Sequence, residues 1–255
     1  MISAPAEVVV FLAEVTEAKP SLLRFLEPSE QERASTFMRA RDRDRFVASH
    51  ALLRLAAGEV FGVPPASVRF DFTCSVCGGS HGRPSLLDPL GLPGVPGRFG
   101  LSLSTTPDHL AVAVARKGDI GVDIDRVDAA QFPGFDTVAL AAREVRAVER
   151  LDPTNAATAR ARLWVRKEAV VKASGHGMRR DPRAIDVWVK QSRHTGTVDV
   201  AGAAVPEPTR VRWIDFDTGV NGLSGAVARV GLEPVDIAVR DARRLLTADS
   251  ISGSH

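Results

Sequence analysis

Asp123 and Asp125 alternate with aliphatic residues in the run Ile120-Gly121-Val122-Asp123-Ile124-Asp125. In a strand, successive side chains point to opposite faces, so Ile120, Val122 and Ile124 can enter a core. Both carboxylates then share the other face, beside the bare Gly121. Two carboxylates side by side repel each other unless a cation lies between them. Oxygen donors of this kind suit a hard divalent ion such as Mg²⁺, which completes its shell with water and substrate phosphates. A second run, Trp164-Val165-Arg166-Lys167-Glu168-Ala169-Val170-Val171-Lys172, has helical spacing and sets Trp164, Glu168 and Lys172 on one face. A third carboxylate and an ammonium thus stand one turn apart. Either run alone is ordinary: Asp-x-Asp is common turn chemistry, and a Glu–Lys pair four residues apart is a common surface pair.

Taken together, the two runs are specific. The chain resembles the 4′-phosphopantetheinyl transferases of the surfactin-synthetase type. Their signature is an aliphatic-Gly-aliphatic-Asp-x-Glu/Asp strand followed, some forty to fifty residues on, by an aromatic-x-x-Lys-Glu-Ala/Ser-x-x-Lys helix; here Asp123 and Glu168 are 45 residues apart. Landmarks of the resemblance run from about Pro28 to Gly231, including Gly175-His176-Gly177-Met178 after the helix. The resemblance implies Mg²⁺-dependent transfer (with Mn²⁺ as a substitute) of the phosphopantetheine arm of coenzyme A to a serine of an apo acyl or peptidyl carrier protein, releasing 3′,5′-ADP. By the same resemblance, Asp123, Asp125 and Glu168 are the metal ligands, and Lys172 contacts the phosphate and steers a proton. Glu144 is a candidate general base or water-mediated ligand, and Lys167 is structural or near the phosphate. Arg45, in Asp42-Arg43-Asp44-Arg45, and Arg83, in Gly82-Arg83-Pro84, are expected on the 3′-phosphate of coenzyme A. Ser102 is expected on a phosphate oxygen.

Two positions depart from the family pattern. Asp125 stands where Glu is commoner, one methylene shorter. Leu103, in Leu101-Ser102-Leu103-Ser104, stands where relatives commonly carry a histidine that donates to the pyrophosphate; leucine donates nothing. If Leu103 instead follows strand alternation, it faces a core, opposite Ser102 and Ser104. The departures leave an alternative reading, a degenerate member that binds coenzyme A or carrier protein without turnover. A third reading, an unrelated Mg²⁺-dependent phosphotransferase or hydrolase using the same three carboxylates, lacks support from any Walker-type or kinase-like motif.

Composition bounds the function class. A net charge of +2 in 255 residues, with 25% charged residues, gives no global basic field for nucleic acid. Glu7 and Glu14 interrupt the apolar start and no basic region precedes it, so no signal peptide is expected, and no segment approaches a membrane span. The cytoplasm is the expected compartment. Cys74-Ser75-Val76-Cys77 can be a zinc half-site or a redox pair. A structural zinc takes four ligands, so His81 and a remote group would have to complete it; no thioredoxin-like context surrounds it, and an ordinary loop with reduced thiols is expected.

The elements that position these residues read as two similar halves. The spacing predicts a strand at Val8–Leu12 and a helix start at Pro28, with Ser29 and Glu32 at capping-box spacing. A long helical zone through Phe37 to Val60 ends at Gly62 and Pro64-Pro65. A strand is expected at Val68–Phe72, an irregular loop from Asp88 to Gly100, and strands at 101–104, 110–115 and 120–125. Helical zones at 137–150 and 156–174 follow, then strands near 185–189, 211–216 and 223–230. The resemblance implies an α+β fold of two subdomains, 1–118 and 119–255, related by a pseudo-twofold axis. Each carries a long helix on a small, mostly antiparallel sheet, with the active site between them. The two-halves-in-one-chain type implies a monomer and a secondary-metabolism or broad-range role.

Overall fold

The computed structural model describes residues 7–15, 19–74, 78–79, 82–87, 99–175, 181–189, 193–201 and 208–247. Cys77, His81, residues 88–98 of the expected irregular segment and the His176-Gly177-Met178 stretch lie outside them, and Cys74 is a free thiol. A plan of strand, long helix and antiparallel hairpin occurs twice. In the first half these are β1 (Val8–Glu14), α2 (Ala40–Phe61), β4 (Gly100–Thr105) and β5 (His109–Ala115), with α1 (Pro28–Ser35), β2 (Phe70–Asp71) and β3 (Ser85–Leu86) in between. In the second half they are β6 (Ile120–Arg126), α5 (Pro153–Ser174), β8 (Thr209–Asp215) and β9 (Leu223–Val230). There α3 (Phe135–Ala139) and α4 (Ala142–Val148) precede α5, and β7 (Thr195–Val200) follows it. The last elements among the described residues are β10 (Ile237–Asp241) and α6 (Arg243–Thr247).

Two four-stranded sheets result, ordered β10-β1-β5-β4 and β6-β9-β8-β7. All pairings in them are antiparallel except β1 with β10, which is parallel. The sheets stack face to face between the two long helices, a four-layer α+β arrangement of two subdomains. Alternation explains the layering. Val9, Phe11, Leu101, Leu110, Val112 and Val114 face α2, while Val8, Val10, Ala111 and Ala113 face Ile120, Val122, Ile124 and Val227 of the other sheet. The far side of the second sheet, with Val211, Trp213, Ala226 and Ala228, packs on α5. Because both faces are covered, His109–Ala115 reads as an unbroken buried run rather than an alternating one.

Both long helices have 22 residues and close on a left-handed glycine, Gly62 at φ 71° and Gly175 at φ 72°. Asp152 caps α5 by accepting from the Asn155 N–H at 3.1 Å, with Pro153 in the first turn.

Several sequence expectations are corrected. The first helix is capped two residues earlier than expected: Glu30, not Glu32, reaches back, accepting from the Glu27 N–H at 2.7 Å. The zone at 137–150 is two short helices, because Leu140 and Ala141 are extended and break it. The 185–189 segment joins no sheet: Val187 is buried, but its N–H donates to Glu144 Oε1 at 2.9 Å instead of to a neighbouring strand. Finally, β10 belongs to the first sheet, so the second half of the chain contributes a strand to the first half's fold.

Candidate active site

Gly121 sets the site. A β-carbon there would lie 2.1 Å from Ala169 O, 2.6 Å from Ala173 N and 2.8 Å from Lys172 Cβ, so only a glycine lets α5 lie this close to β6. Alternation puts Asp123 and Asp125 on that same helix-facing side. Glu168 and Lys172, one turn apart on α5, come down over them.

Lys172 Nζ is the hub. It donates to Asp123 Oδ1 at 2.7 Å, to Val122 O at 3.1 Å and to Leu103 O at 3.3 Å. An ammonium has three hydrogens, and all three are used. Asp123 is 6% exposed, and the Ser104 hydroxyl also donates to its Oδ1, at 2.7 Å. Glu168 is half-buried and makes no hydrogen bond among the described residues. Its carboxyl is pushed up by burial and then by the charges of Asp123 and Asp125, against the pull of Lys172. Asp125 is likewise pushed up, chiefly by burial, while its Oδ1 accepts from the Arg126 N–H at 2.8 Å.

Three carboxylates, two of them made reluctant to ionise by burial and by their neighbours, are a donor set that a hard divalent ion would relieve. In donor chemistry the residues fit such an ion. Among the described residues, no three Asp, Glu, His or Cys side chains are drawn together into a ready-made cage. Lys172 provides the positive charge against Asp123 as the site stands.

The sheets meet at this point along a seam of side chains. Ser102 Oγ accepts from the Val122 N–H at 2.9 Å, and Ser104 Oγ accepts from the Ile124 N–H at 3.3 Å. The serine hydroxyls of β4 thus take the place of backbone carbonyls towards the edge of β6. Arg83 extends the seam: its Nε donates to Leu101 O at 3.3 Å, Nη1 to Lys172 O at 3.5 Å, and Nη2 pairs with Asp119 at 3.3 Å. Gly82 before it is needed because a β-carbon would meet Thr73 O at 2.5 Å.

Other expected site residues lie elsewhere or do other work. Ser102 is buried within the seam rather than open to a ligand. Arg45 pairs with Asp42 at 2.9 Å inside α2 and touches none of the carboxylate cluster among the described residues. Leu103 packs with the α2 core, on the face opposite Ser102 and Ser104, as strand alternation suggests. Glu144 is 0% exposed: its oxygens accept from Ala141 N at 2.8 Å and Val187 N at 2.9 Å, and pair with Lys167 Nζ at 2.6 Å. Lys167 also donates to Pro182 O at 2.8 Å. Burial raises the Glu144 carboxyl and lowers the Lys167 ammonium, with each partner's charge opposing the shift. This closed pair ties α4 to α5 and leaves no carboxylate oxygen for a reactant. Sequence reasoning missed Ser104; the signal was its alternation with Ser102, which sends both hydroxyls to one face.

The Asp-bearing strand and the Glu- and Lys-bearing helix both lie in a stretch that matches a known family. Residues 119–214 match the 4′-phosphopantetheinyl transferase superfamily. That stretch holds Asp123, Asp125, Glu144, Glu168 and Lys172. The chain is 32% identical over 158 residues to the 4′-phosphopantetheinyl transferase HetI of Nostoc sp. strain PCC 7120, covering 60% of this chain and 61% of that protein. It is 25% identical over 169 residues to slr0495 of Synechocystis sp. strain PCC 6803, provisionally named for the same activity, covering 62% of this chain and 61% of that protein. The matches thus span under two thirds of each relative's length.

Proposed function

We propose that this chain is a 4′-phosphopantetheinyl transferase of the two-subdomain, surfactin-synthetase type. It moves the 4′-phosphopantetheine group of coenzyme A to a serine hydroxyl of an apo acyl or peptidyl carrier protein and releases 3′,5′-ADP. The observation that carries this reading is the meeting of Asp123, Asp125, Glu168 and Lys172 across the Gly121 contact, within the stretch that matches the superfamily.

Asp123, Asp125 and Glu168 would hold the divalent ion, Mg²⁺ or Mn²⁺. When bound, the ion offsets the charge of the pyrophosphate and of the phosphate that leaves. The attacking serine oxygen forms a bond to the phosphorus carrying pantetheine, and the bond from that phosphorus to the bridging oxygen breaks. The hydroxyl proton needs a carboxylate with a vacant oxygen. Glu168, which has no hydrogen bond among the described residues, supplies one; Glu144, whose oxygens are taken, does not. Lys172 orients Asp123 and joins the two sheets, and reaches a phosphate oxygen only by giving up its bonds to Leu103 O or Val122 O. Arg83, at the same seam, is the nearer of the two expected arginines to this chemistry, with Arg45 left for the nucleotide end of coenzyme A.

The test is to incubate the protein with coenzyme A, Mg²⁺ and an apo carrier protein, and to weigh the carrier. A gain of one phosphopantetheine is expected, lost in Asp123→Ala. Complex formation without a mass gain would favour the degenerate binder, to which Leu103 and Asp125 point; neither outcome would refute both. We further propose a monomer acting in the cytoplasm, on carriers of secondary metabolism. Among the described residues no helix is long and apolar enough to cross a membrane.

A further inference from the structure

We propose that Ser104 is a positioning residue for Asp123, fixing which carboxylate oxygen is presented to the divalent ion; this rests on the metal reading above. Ser104 is 6% exposed and its hydroxyl is held from both sides. The Ile124 N–H donates to Oγ at 3.3 Å, and the hydroxyl's one proton goes to Asp123 Oδ1 at 2.7 Å. A serine has a single O–H to give, so the backbone bond aims it. Lys172 Nζ donates to the same Oδ1 at 2.7 Å, while Oδ2 has no partner among the described residues. One oxygen is therefore saturated and the carboxylate cannot turn freely, so Oδ2 is the atom presented for coordination. Hydrogen bonds of this kind behind a ligand typically change metal affinity by about 10–100-fold.

Ser102 supplies an internal comparison. Its hydroxyl accepts from the Val122 N–H in the same way, but the facing residue on β6 is Gly121, so there is no carboxylate for it to aim. Ser102→Ala therefore removes a seam bond alone, whereas Ser104→Ala removes a seam bond and the hold on Asp123.

The experiment titrates Mn²⁺ into the full chain with coenzyme A present, following free Mn²⁺ by electron paramagnetic resonance, and records a thermal melt for each variant. Wild type and Asp123→Ala come first: loss of binding in Asp123→Ala places the ion on that carboxylate. Ser104→Ala is then expected to weaken Mn²⁺ binding about tenfold, beyond any effect of Ser102→Ala, with Ser104→Thr restoring it to within about threefold. If Ser104→Ala binds Mn²⁺ like Ser102→Ala, with only a lower melt, the hydroxyl serves the seam and the proposal is overturned. If Asp123→Ala binds Mn²⁺ like wild type, the metal reading has failed, and this inference falls with it.

Discussion

Gly121→Ala should unfold the logic of the site with a single methyl group. The added carbon would sit 2.1 Å from Ala169 O, about 1.3 Å short of the 3.4 Å at which ordinary contact begins. The clashing atoms are helix backbone, which no rotamer change can clear, and Ala173 N at 2.6 Å closes the other way out. Overpacking of this kind costs about 1–3 kcal/mol, and the backbone partners put this case at the upper end. Alanine recovers about 0.4–1 kcal/mol by restricting the unfolded chain, which does not offset the clash. A net loss of about 2 kcal/mol lowers the melting temperature by roughly 4–8 °C for a chain of this size. The relief available is to lift α5 off β6, and that stretches the 2.7 Å contact of Lys172 with Asp123. A displacement of about 1 Å at a reacting centre costs on the order of a hundredfold in rate. Calorimetry and carrier-mass kinetics on the same preparation test both halves. A melt within a degree of wild type, with turnover within about threefold, would refute the claim that this contact sets the site.

Glu144→Gln leaves Lys167 buried without its counter-charge and should destabilise by about 3–5 kcal/mol in urea titration, while the folded fraction keeps its turnover; lost turnover at unchanged stability would restore Glu144 to the chemistry. Leu103→His places a polar ring in the α2 core and should lower the melt with no tighter binding of coenzyme A, read by calorimetry. Divalent-ion affinity should fall with acid earlier than free carboxylates would allow. The raised pKa values of Glu168 and Asp125 mean that both are ionised only above them, and binding is lost as the pH drops through them. Without the ion the sign reverses: the folded chain holds these protons more tightly than the unfolded one, so their contribution to stability grows as the pH falls from neutral towards the ordinary carboxylate values. Mn²⁺ titrations and melts across about pH 5–8 separate the two trends.

The parts of the site legible in the sequence were those written in local periodicity. The alternation of Ile120, Val122 and Ile124 with Asp123 and Asp125, and the four-residue spacing of Glu168 and Lys172, each fix a face of their own element. What escaped depends on which elements become neighbours. Glu144 sits among arginines and valines in Arg143-Glu144-Val145-Arg146, where nothing local distinguishes a solvated carboxylate from one sealed against Lys167. The 185–189 segment has a strand's alternation, but a side chain answers the Val187 N–H, and no sequence period records that. Ser104 looked like half of a polar alternation until β6 came alongside. Ile237–Asp241 is only five residues long, half-buried at its start and exposed at its end, too short a run to announce a strand, and its partner Val8–Leu12 lies more than two hundred residues earlier.

That last pairing has a consequence for how the protein is made. Val8 to Leu12 leave the ribosome before either of their partners, and β5 is available to one side of them after some hundred residues more. Their other side stays open until Ile237–Asp241 has been synthesised, with Arg240 then stacking over Phe11 and pairing with Glu59. An unpaired edge beside Val8-Val9-Val10-Phe11-Leu12 is a template for pairing with another chain. Between the synthesis of β5 and that of β10, more than a hundred residues later, the nascent polypeptide therefore carries this apolar edge uncovered. Stalling before Ile237–Asp241, or loss of that strand, would be felt first at Val8–Leu12, more than two hundred residues away in sequence.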